Sequence, residues 1–407
     1  MNNISIALKV KPTDEIASNR FLRALWAALR MEFGKLAWQY MPRRNGSCRT
    51  IFFGFADINL SNSIQIGIKY KNRGIIEHIV FEDVFSKTEF PIDRFKHCVK
   101  VAEDAIESEF YVTADIIIPY NLHFQNIQQY ESFSVLKQNL DKTSIFSFTS
   151  QHKSCLHLRL KGFDEADANN KFMIYIRPIL DVLSAFTNLF FEIGKITQSV
   201  VFSNSFQLNK PIFNDIDWID GYPVVDQQII VPEHCLQLID DIVNGEIDKN
   251  KQLILDACHH FHSARSLQER NKVVSQSESI PEIATVLYIS SVEVLSLVNA
   301  PPPTTCPTCS QPQHRISARV VEFMKQHNGE AIANMIKELY KVRSKYLHTG
   351  SLLSSRSYSG ETIPQLNFAD NNGVCNPMSL VPLHNLREYT SFCIRATTYG
   401  EYNKLGN

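Results

Sequence analysis

Two side chains near the end of one helical segment, Arg343 and His348, have the chemistry to cleave a phosphodiester without a metal ion. The guanidinium of arginine binds phosphate through two parallel hydrogen bonds, and histidine exchanges a proton near neutral pH. The reaction that fits is attack of an RNA 2′-hydroxyl on its neighbouring phosphate. His348 would move the proton, while Arg343, with Lys345 between them, would stabilise charge on the phosphoryl oxygens. This chemistry predicts a 2′,3′-cyclic phosphate product and no cleavage of DNA.

The helical spacing of Arg343 and His348 separates the two side chains. Residues five apart on an α-helix point about 140° away from each other, with a rise of about 7.5 Å. Either Arg343 bends around the helix end, which Gly350 would cap, or a second copy of the pair completes the site across a two-fold interface. The second arrangement would place two copies of each group in one cleft, and it predicts a homodimer.

The spacing by itself also has a purely structural explanation. An arginine and a histidine five apart occur by chance in many sequences, and the C-terminal end of a helix favours cations. Positive side chains nevertheless outnumber Glu322, Glu330 and Glu338 over this segment. They are Arg315, Arg319, Lys325, Lys337, Lys341, Arg343 and Lys345. Such an excess would guide a phosphate backbone, although runs of charge also form ordinary solvated faces.

The composition is that of an ordinary folded protein. The chain has 407 residues, 44% hydrophobic and 20% charged, which suits two or three domains. Its net charge of −1 means that nucleic-acid binding needs a local basic patch, and its nine scattered cysteines indicate reduced thiols. The most apolar segment, 172–194, is interrupted by Arg177, Asp181 and Glu192, which argues against a membrane span. No signal peptide is recognisable, and we expect a cytoplasmic protein without membrane contact.

Hydrophobic spacing predicts an α+β fold in which a mixed α/β region, residues 1–247, precedes an all-α helical bundle, residues 248–407. The first region carries no nucleotide-binding or metalloprotease motif. By elimination, it senses a trigger, recognises RNA or a partner, or restrains the bundle. The predicted helices of the first region are 15–41, 92–110 and 178–193, the last with Pro178 in its first turn. Those of the second region are 251–268, 281–299, 314–327, 330–348 and 383–402.

Glu293 lies on one predicted helix face with Val286, Ser290 and Leu297, at offsets of seven, three and four residues. A carboxylate on a largely apolar face usually has a partner. Glu293 would therefore orient Arg343 or His348 for catalysis. The alternatives are a purely structural pair with an arginine or lysine, or rotation of the side chain to solvent.

The C-terminal region resembles the HEPN superfamily, most closely its ApeA-like branch. The resemblance rests on the order of the helices and on three segments: 291–297, 336–340 and the R-x4-H element from Arg343 to His348, with Gly350 behind it. It covers roughly residues 249–405. Ser344 stands where many active members of the superfamily carry Asn, Asp or His directly after the arginine.

The resemblance implies a helical bundle that dimerises and a metal-independent endoribonuclease with Arg343 and His348 at the dimer cleft. The ApeA-like branch occurs in prokaryotic defence and toxin systems, which implies an abortive-infection effector that acts against phage after a phage-derived trigger. The alternative is a non-catalytic module that binds RNA, a nucleotide or a partner protein. In that case Arg343 and His348 would hold a dimer interface together.

Cys306 and Cys309 form a C-x2-C element on a proline-rich loop, which is typical of one half of a structural zinc site. A tetrahedral site needs two more ligands. The candidates for these ligands are His314, Cys375 and Cys393. The alternative is a loop with two free thiols. No cofactor is expected to take part in catalysis.

Three histidines lie on one predicted helix close to Arg265, namely His259, His260 and His262. His259 and His262, three residues apart, have the spacing for a shared metal ion. No acidic partner completes a known motif, so surface or interface histidines are the preferred interpretation.

Overall fold

A computed structural model describes most of the chain and divides it into two compact units. Unit 1 comprises residues 1–110 and 160–171, and unit 2 comprises residues 111–159 and 172–407. The boundary expected at 247/248 falls inside unit 2. The described residues are 3–45, 48–59, 62–70, 74–83, 90–118, 123–124, 128–129, 133–137, 152–198, 224–225, 228–229, 231–271, 279–305, 312–313, 315–349 and 383–404.

Unit 1 is built on an antiparallel sheet of five strands with two helices packed together beside it. Its elements are β1 (Asn3–Ala7), α1 (Glu15–Phe33), β2 (Leu36–Asn45), β3 (Cys48–Asn59), β4 (Asn62–Tyr70), β5 (Ile76–Asp83) and α2 (Ile92–Glu103). The strand order is β1-β5-β4-β3-β2, so β2 is an edge strand. Leu25 and Leu29 of α1, Ile66 and Phe81 of the sheet, and Phe95 of α2 are fully buried in the shared core.

Both ends of α1 follow from local chemistry. The side chain of Asp14 accepts a hydrogen bond from the backbone N–H of Ala17 at 2.8 Å and caps the first turn. The helix ends at Phe33 because Gly34 adopts φ 78°, a conformation that glycine takes without strain. The prediction of a helix over 15–41 was therefore wrong beyond Phe33. The helix predicted over 92–110 also ends early, and the next strand begins at Ser108.

The rest of the chain adds short sheets and six helices among the described residues. Its elements are β6 (Ser108–Ile118), β7 (His123–Phe124), β8 (Gln128–Gln129), β9 (Phe133–Lys137), β10 (His152–Gly162), α3 (Glu165–Thr187), β11 (Glu192–Gln198), β12 (Val224–Val225), β13 (Gln228–Ile229), α4 (Glu233–Asn244), α5 (Lys249–Asn271), α6 (Ser279–Leu295), β14 (Thr304–Thr305), β15 (Pro312–Gln313), α7 (Ile316–Thr349) and α8 (Leu383–Lys404). The sheets have the orders β11-β6-β10-β9-β8, β12-β13-β7 and β14-β15.

The α+β prediction is confirmed, with strands concentrated in the N-terminal half and helices after it. Within unit 2, α6 packs against α5, α7 and α8, and α8 also packs against α4. Gly329 interrupts α7 with φ 84° and ψ 170°. This break explains why the sequence predicts two helices, 314–327 and 330–348, in the same stretch. Gly350, the expected cap, lies outside the described residues.

Pro178 lies in the interior of α3, whereas the sequence predicted that it would begin a helix. Proline has no N–H, so the carbonyl of Ile174 loses its helical partner. The side chain of Ile174 is 68% exposed, and water can bind the carbonyl on this side. Among the described residues, no helix is both long and apolar enough to span a membrane.

We expect Gly54→Ala to destabilise unit 1. A Cβ atom at Gly54 would lie 2.3 Å from Cη2 of Trp26 and 2.5 Å from the carbonyl oxygen of Ala37. Trp26 and the backbone of β2 would have to shift to avoid these contacts, and this shift would lower the free energy of unfolding by about 1–3 kcal/mol. Gly400→Ala is the matched control, because open space surrounds that helical position and alanine favours a helix over glycine. Urea unfolding measures both, and equal stability of the two variants would contradict the packing at Gly54.

We also expect unit 2 to lose stability in mild acid because two histidines are buried as neutral rings. Burial lowers the pKa of His157 and of His234 to about 4, and the charge of Arg395 adds to the effect on His234. The unfolded chain binds protons below about pH 6.5, whereas the folded chain does not until about pH 4. The free energy of unfolding should therefore fall between these pH values. Urea unfolding at several pH values measures this free energy. It should fall less steeply with decreasing pH in His234→Gln than in the wild type, and it should not depend on these two histidines between pH 7 and 8.

Candidate functional site

Arg343 is anchored on α6 by two residues of the face that the sequence indicated. Its Nη1 atom lies 2.7 Å from Oε2 of Glu293, and its Nη2 donates a hydrogen bond to Oγ of Ser290 at 3.3 Å. The guanidinium carbon lies 5.6 Å from the ring centroid of Tyr340. Of the two candidate partners for Glu293, Arg343 and His348, the structure places Arg343 in contact with it. The contact joins α6 to the second half of α7.

The ion pair is largely withdrawn from water. The side chains of Arg343 and Glu293 retain 16% and 21% exposure. Among the described residues, neither Nε of Arg343 nor Oε2 of Glu293 has a partner with hydrogen-bond geometry, although Oε2 is in close contact with Nη1. Charge attraction therefore dominates the pair, and removal of one partner would leave the other charge poorly solvated.

Two further titratable side chains respond to this ion pair. Burial, and secondarily the carboxylate of Glu293, raise the pKa of Tyr340. On α5, burial is the main cause of the lowered pKa of His260, and the nearby positive charges act in the same direction. Arg343 is one of these charges, so His260 lies within electrostatic range of the pair. The sequence offered no signal for this position beyond a histidine on a helix.

His348 has a different environment from Arg343, although both lie on α7. The side chains of His348 and Lys345 are exposed, and that of Ser344 is half-buried. Within the described part of the chain, no side-chain hydrogen bond or ion pair involves His348 or Lys345. One copy of the chain therefore places the arginine in a fixed pocket and the histidine in solvent, without bringing the two side chains together.

Some of the positive side chains have nearby partners, one of them a neutral hydroxyl and two of them carboxylates. Nε of Arg319 donates to Oγ of Ser296 at 3.0 Å. Lys325 lies 3.6 Å from Glu330, and Lys341 lies 2.7 Å from Glu338. Three of the cations in this segment are exposed and have no ion pair among the described residues. They are Arg315, Lys337 and Lys345.

The described residues provide no test of the proposed zinc loop, because Cys306, Cys309, His314 and Cys375 lie outside them. Cys393 is described and fully buried. Burial raises its pKa to about 12, which disfavours the thiolate that zinc binds. Across the described part of the chain, no group of three His, Cys, Asp or Glu side chains has an arrangement that could hold a metal ion.

The histidines of α5 satisfy a buried carboxylate from α3. Nδ1 of His259 lies 3.0 Å from Oδ2 of Asp181, and Nδ1 of His262 lies 2.6 Å from Oδ1. Nε2 of His262 also lies 3.1 Å from the carbonyl oxygen of Phe191. Both ring nitrogens of His262 therefore lie within hydrogen-bond distance of an oxygen atom. These three side chains line a cavity of about 680 Å³.

The surroundings of Arg343 form the strongest candidate site among the C-terminal helices. The site combines a fixed guanidinium, its carboxylate partner and a half-buried histidine on α5, and His348 lies apart from them on the exposed side of α7. No protein-family model, curated protein or solved structure matches this chain.

A double-mutant cycle should detect the Arg343–Glu293 pair. Glu293→Gln and Arg343→Gln should each lower the free energy of unfolding, and the coupling between them should be about 1–3 kcal/mol because both charges are largely desolvated. The Glu338–Lys341 pair on α7 is the control. Its side chains are 48% and 60% exposed, so its coupling should stay below about 1 kcal/mol. Urea unfolding measures both cycles, and similar couplings would contradict the burial of the Arg343 pair.

Proposed function

We propose that this protein is a metal-independent endoribonuclease of the HEPN type. The observation that carries the proposal is the state of Arg343, a guanidinium fixed by Glu293 and Ser290 on the helix that presents His348 to solvent. The guanidinium would bind the phosphate that is cut, and the exposed histidine would transfer the proton. The resemblance of the Arg343–His348 element to HEPN ribonucleases supports the same roles.

A complete site needs two copies of the chain in this proposal. Arg343 and His348 point about 140° apart on their helix, and one faces α6 while the other faces solvent. A homodimer would place His348 of one copy beside Arg343 of its partner. Glu293 would hold Arg343 in the orientation that phosphate requires, since a bidentate grip depends on the plane of the guanidinium. Lys345 would add charge at the same cleft.

The proposed reaction is an internal phosphoryl transfer. One His348 accepts the proton of the RNA 2′-hydroxyl, the bond from the 2′-oxygen to phosphorus forms, and the bond to the 5′-oxygen breaks. The second His348, in its protonated form, donates a proton to that 5′-oxygen. Arg343 stabilises the negative charge on the phosphoryl oxygens during the transfer. The products are a 2′,3′-cyclic phosphate and a 5′-hydroxyl.

The proposed biological setting is abortive infection in the cytoplasm. A ribonuclease of this kind would act as a toxin, and a phage-derived trigger would release it. The N-terminal region would sense the trigger, recognise RNA or restrain the helices. This setting rests on the resemblance to the ApeA-like branch.

A non-catalytic module that binds RNA, a nucleotide or a protein is the second candidate. The observation in its favour is that Arg343 is already neutralised by Glu293 and only 16% exposed. A purely structural ion pair would look the same. Binding of RNA without cleavage, weakened by Arg343→Ala, would support this candidate.

We expect His348→Ala to lower the rate of RNA cleavage by at least about 100-fold, because proton transfer by a positioned side chain contributes about that much. Arg343→Ala should lower the rate by a similar factor through loss of charge stabilisation. The measurement is incubation of each purified variant with total cellular RNA, followed by mapping of the cut ends and of their terminal phosphates.

Leu347→Ala is the matched control on the same helix, since Leu347 is 51% exposed and apolar. It should cleave like the wild type. A substrate with a single 2′-deoxynucleotide at the mapped cut should resist cleavage there. Full cleavage and full toxicity in cells by His348→Ala would refute the proposed role, and loss of wild-type activity in EDTA would favour a metal nuclease.

A further inference from the structure

Unit 1 contains an open cleft of about 550 Å³ between α1 and one face of its sheet. The helix contributes Asn19, Leu22 and Trp26, which are three and four residues apart and therefore lie on one side of α1. The strand β2 contributes Trp38 and Tyr40, which both line the cleft at an irregularity in the pairing of β2 with β3. The residues of the cleft come from α1, the start of α3 and the sheet of unit 1, and they lie far in sequence from Arg343.

Aromatic rings form the floor of this cleft. The ring centroids of Trp26 and Trp38 are 6.3 Å apart at 84°, and Phe53 lies 5.3 Å from Trp26 and 6.2 Å from Trp38. Gly54 allows this packing, because a Cβ atom there would clash with the Trp26 ring. The three rings therefore pack together over Gly54, where a larger side chain would not fit.

Two aromatic side chains of the cleft remain in solvent. Trp38 is 70% exposed and Tyr40 is 61% exposed, and both belong to the edge strand β2. Large rings usually contribute to folding through burial, so rings held open beside buried aromatics are available to a ligand. An exposed indole next to a Trp–Phe pair offers a flat π-surface for stacking.

The polar lining suits a nucleotide better than a purely apolar ligand. Asn19 and Asn170 both line the cleft, and a side-chain amide can donate to and accept from the edge of a base. Arg23 and Arg30 line it as well. Their positive charges would face the phosphate of a ligand whose base stacks on Trp38.

Carboxylates hold both arginines in place while leaving donors unused. Asp167 binds Nε and Nη2 of Arg23 at 2.8 and 2.6 Å, and Nη2 of Arg23 also donates to Oε1 of Glu107 at 2.7 Å. Asp164 binds Nε and Nη2 of Arg30 at 2.8 and 2.7 Å. No described residue hydrogen-bonds the Nη1 group of either arginine. Burial would raise the pKa of Asp167, but hydrogen bonds from Arg23 and from the N–H of Phe163 hold it below its usual range.

We propose that this cleft is a nucleotide-binding site in which the base stacks on Trp38 and Tyr40. Asn19 and Asn170 would contact the edge of the base, and the Nη1 groups of Arg23 and Arg30 would contact the phosphate. The ligand is either a free nucleotide or a nucleotide within single-stranded RNA, since both present the same base and phosphate. The inference goes beyond the proposed cleavage, because the cleft shares no residue with the Arg343 site.

The test uses the full chain with His348→Ala, so that RNA stays intact. Titrations with AMP, GMP, CMP and UMP, and with a mixed-sequence RNA heptamer, follow tryptophan fluorescence and heat of binding. We expect saturable binding. Trp38→Ala and Tyr40→Ala should each weaken it by at least about fivefold, since stacking of one base on an aromatic ring is worth about 1–3 kcal/mol. Trp38→Phe should retain part of the affinity.

Met31→Ala is the matched control, because Met31 is 90% exposed on α1 and lies outside the cleft. Its affinity should equal that of the parent, and thermal unfolding should be the same for all variants. Binding of mononucleotides supports a free nucleotide as ligand, whereas binding of the heptamer alone supports RNA. Failure of both probes to bind, or an unchanged affinity in Trp38→Ala, overturns the proposal. If the nucleotides bind but the wild type does not cleave RNA, the proposed binding site is supported and only the proposed ribonuclease activity is refuted.

Discussion

Arg343 of α7 and Glu293 of α6 are two opposite charges that lie together largely out of water, and this contact constrains the candidate site. A guanidinium with 16% exposure is stable on α7 because a carboxylate on α6 lies 2.7 Å away. The pair fixes the rotation of the second half of α7 against α6. That rotation directs Arg343 inwards and leaves His348 in solvent. Helix geometry separates the two side chains, and the contact with Glu293 holds Arg343 on the buried side.

Carboxylates also position polar side chains in the cleft of unit 1 and in the cavity of unit 2. Asp164 and Asp167 each bind an arginine of α1 through two hydrogen bonds, which ties the start of α3 to that helix. In unit 2, Asp181 is buried and receives two histidines of α5. In each case a carboxylate within α3 or directly before it positions side chains that line an open space. Electrostatic pairing therefore places the polar groups, while hydrophobic packing places the backbone.

The two units divide the chemistry of the chain in the functional picture that we propose. Unit 2 carries fixed and exposed groups suited to proton transfer and charge stabilisation, and in this proposal they would act on a substrate that supplies its own nucleophile. Unit 1 carries exposed rings and held arginines, which suit recognition without reaction. A defence ribonuclease needs both a cutting site and a means of reading a nucleotide signal or substrate. Each unit can therefore be tested by a readout that the other does not affect.

The sequence alone determined the elements whose signals are local. The order of the C-terminal helices, the break at Gly329 and the shared face of Ser290 and Glu293 follow from periodicity and from backbone freedom, which act over a few residues. Local signals were wrong where a single residue decided the outcome, as at Gly34 and Pro178. Tertiary structure decided that Arg343 pairs with Glu293 and that this pair influences the pKa of His260. It also decided that exposed aromatic side chains and two arginines line one cleft. These contacts join residues tens to hundreds of positions apart, and burial sets their strength, so no periodicity in the chain encodes them.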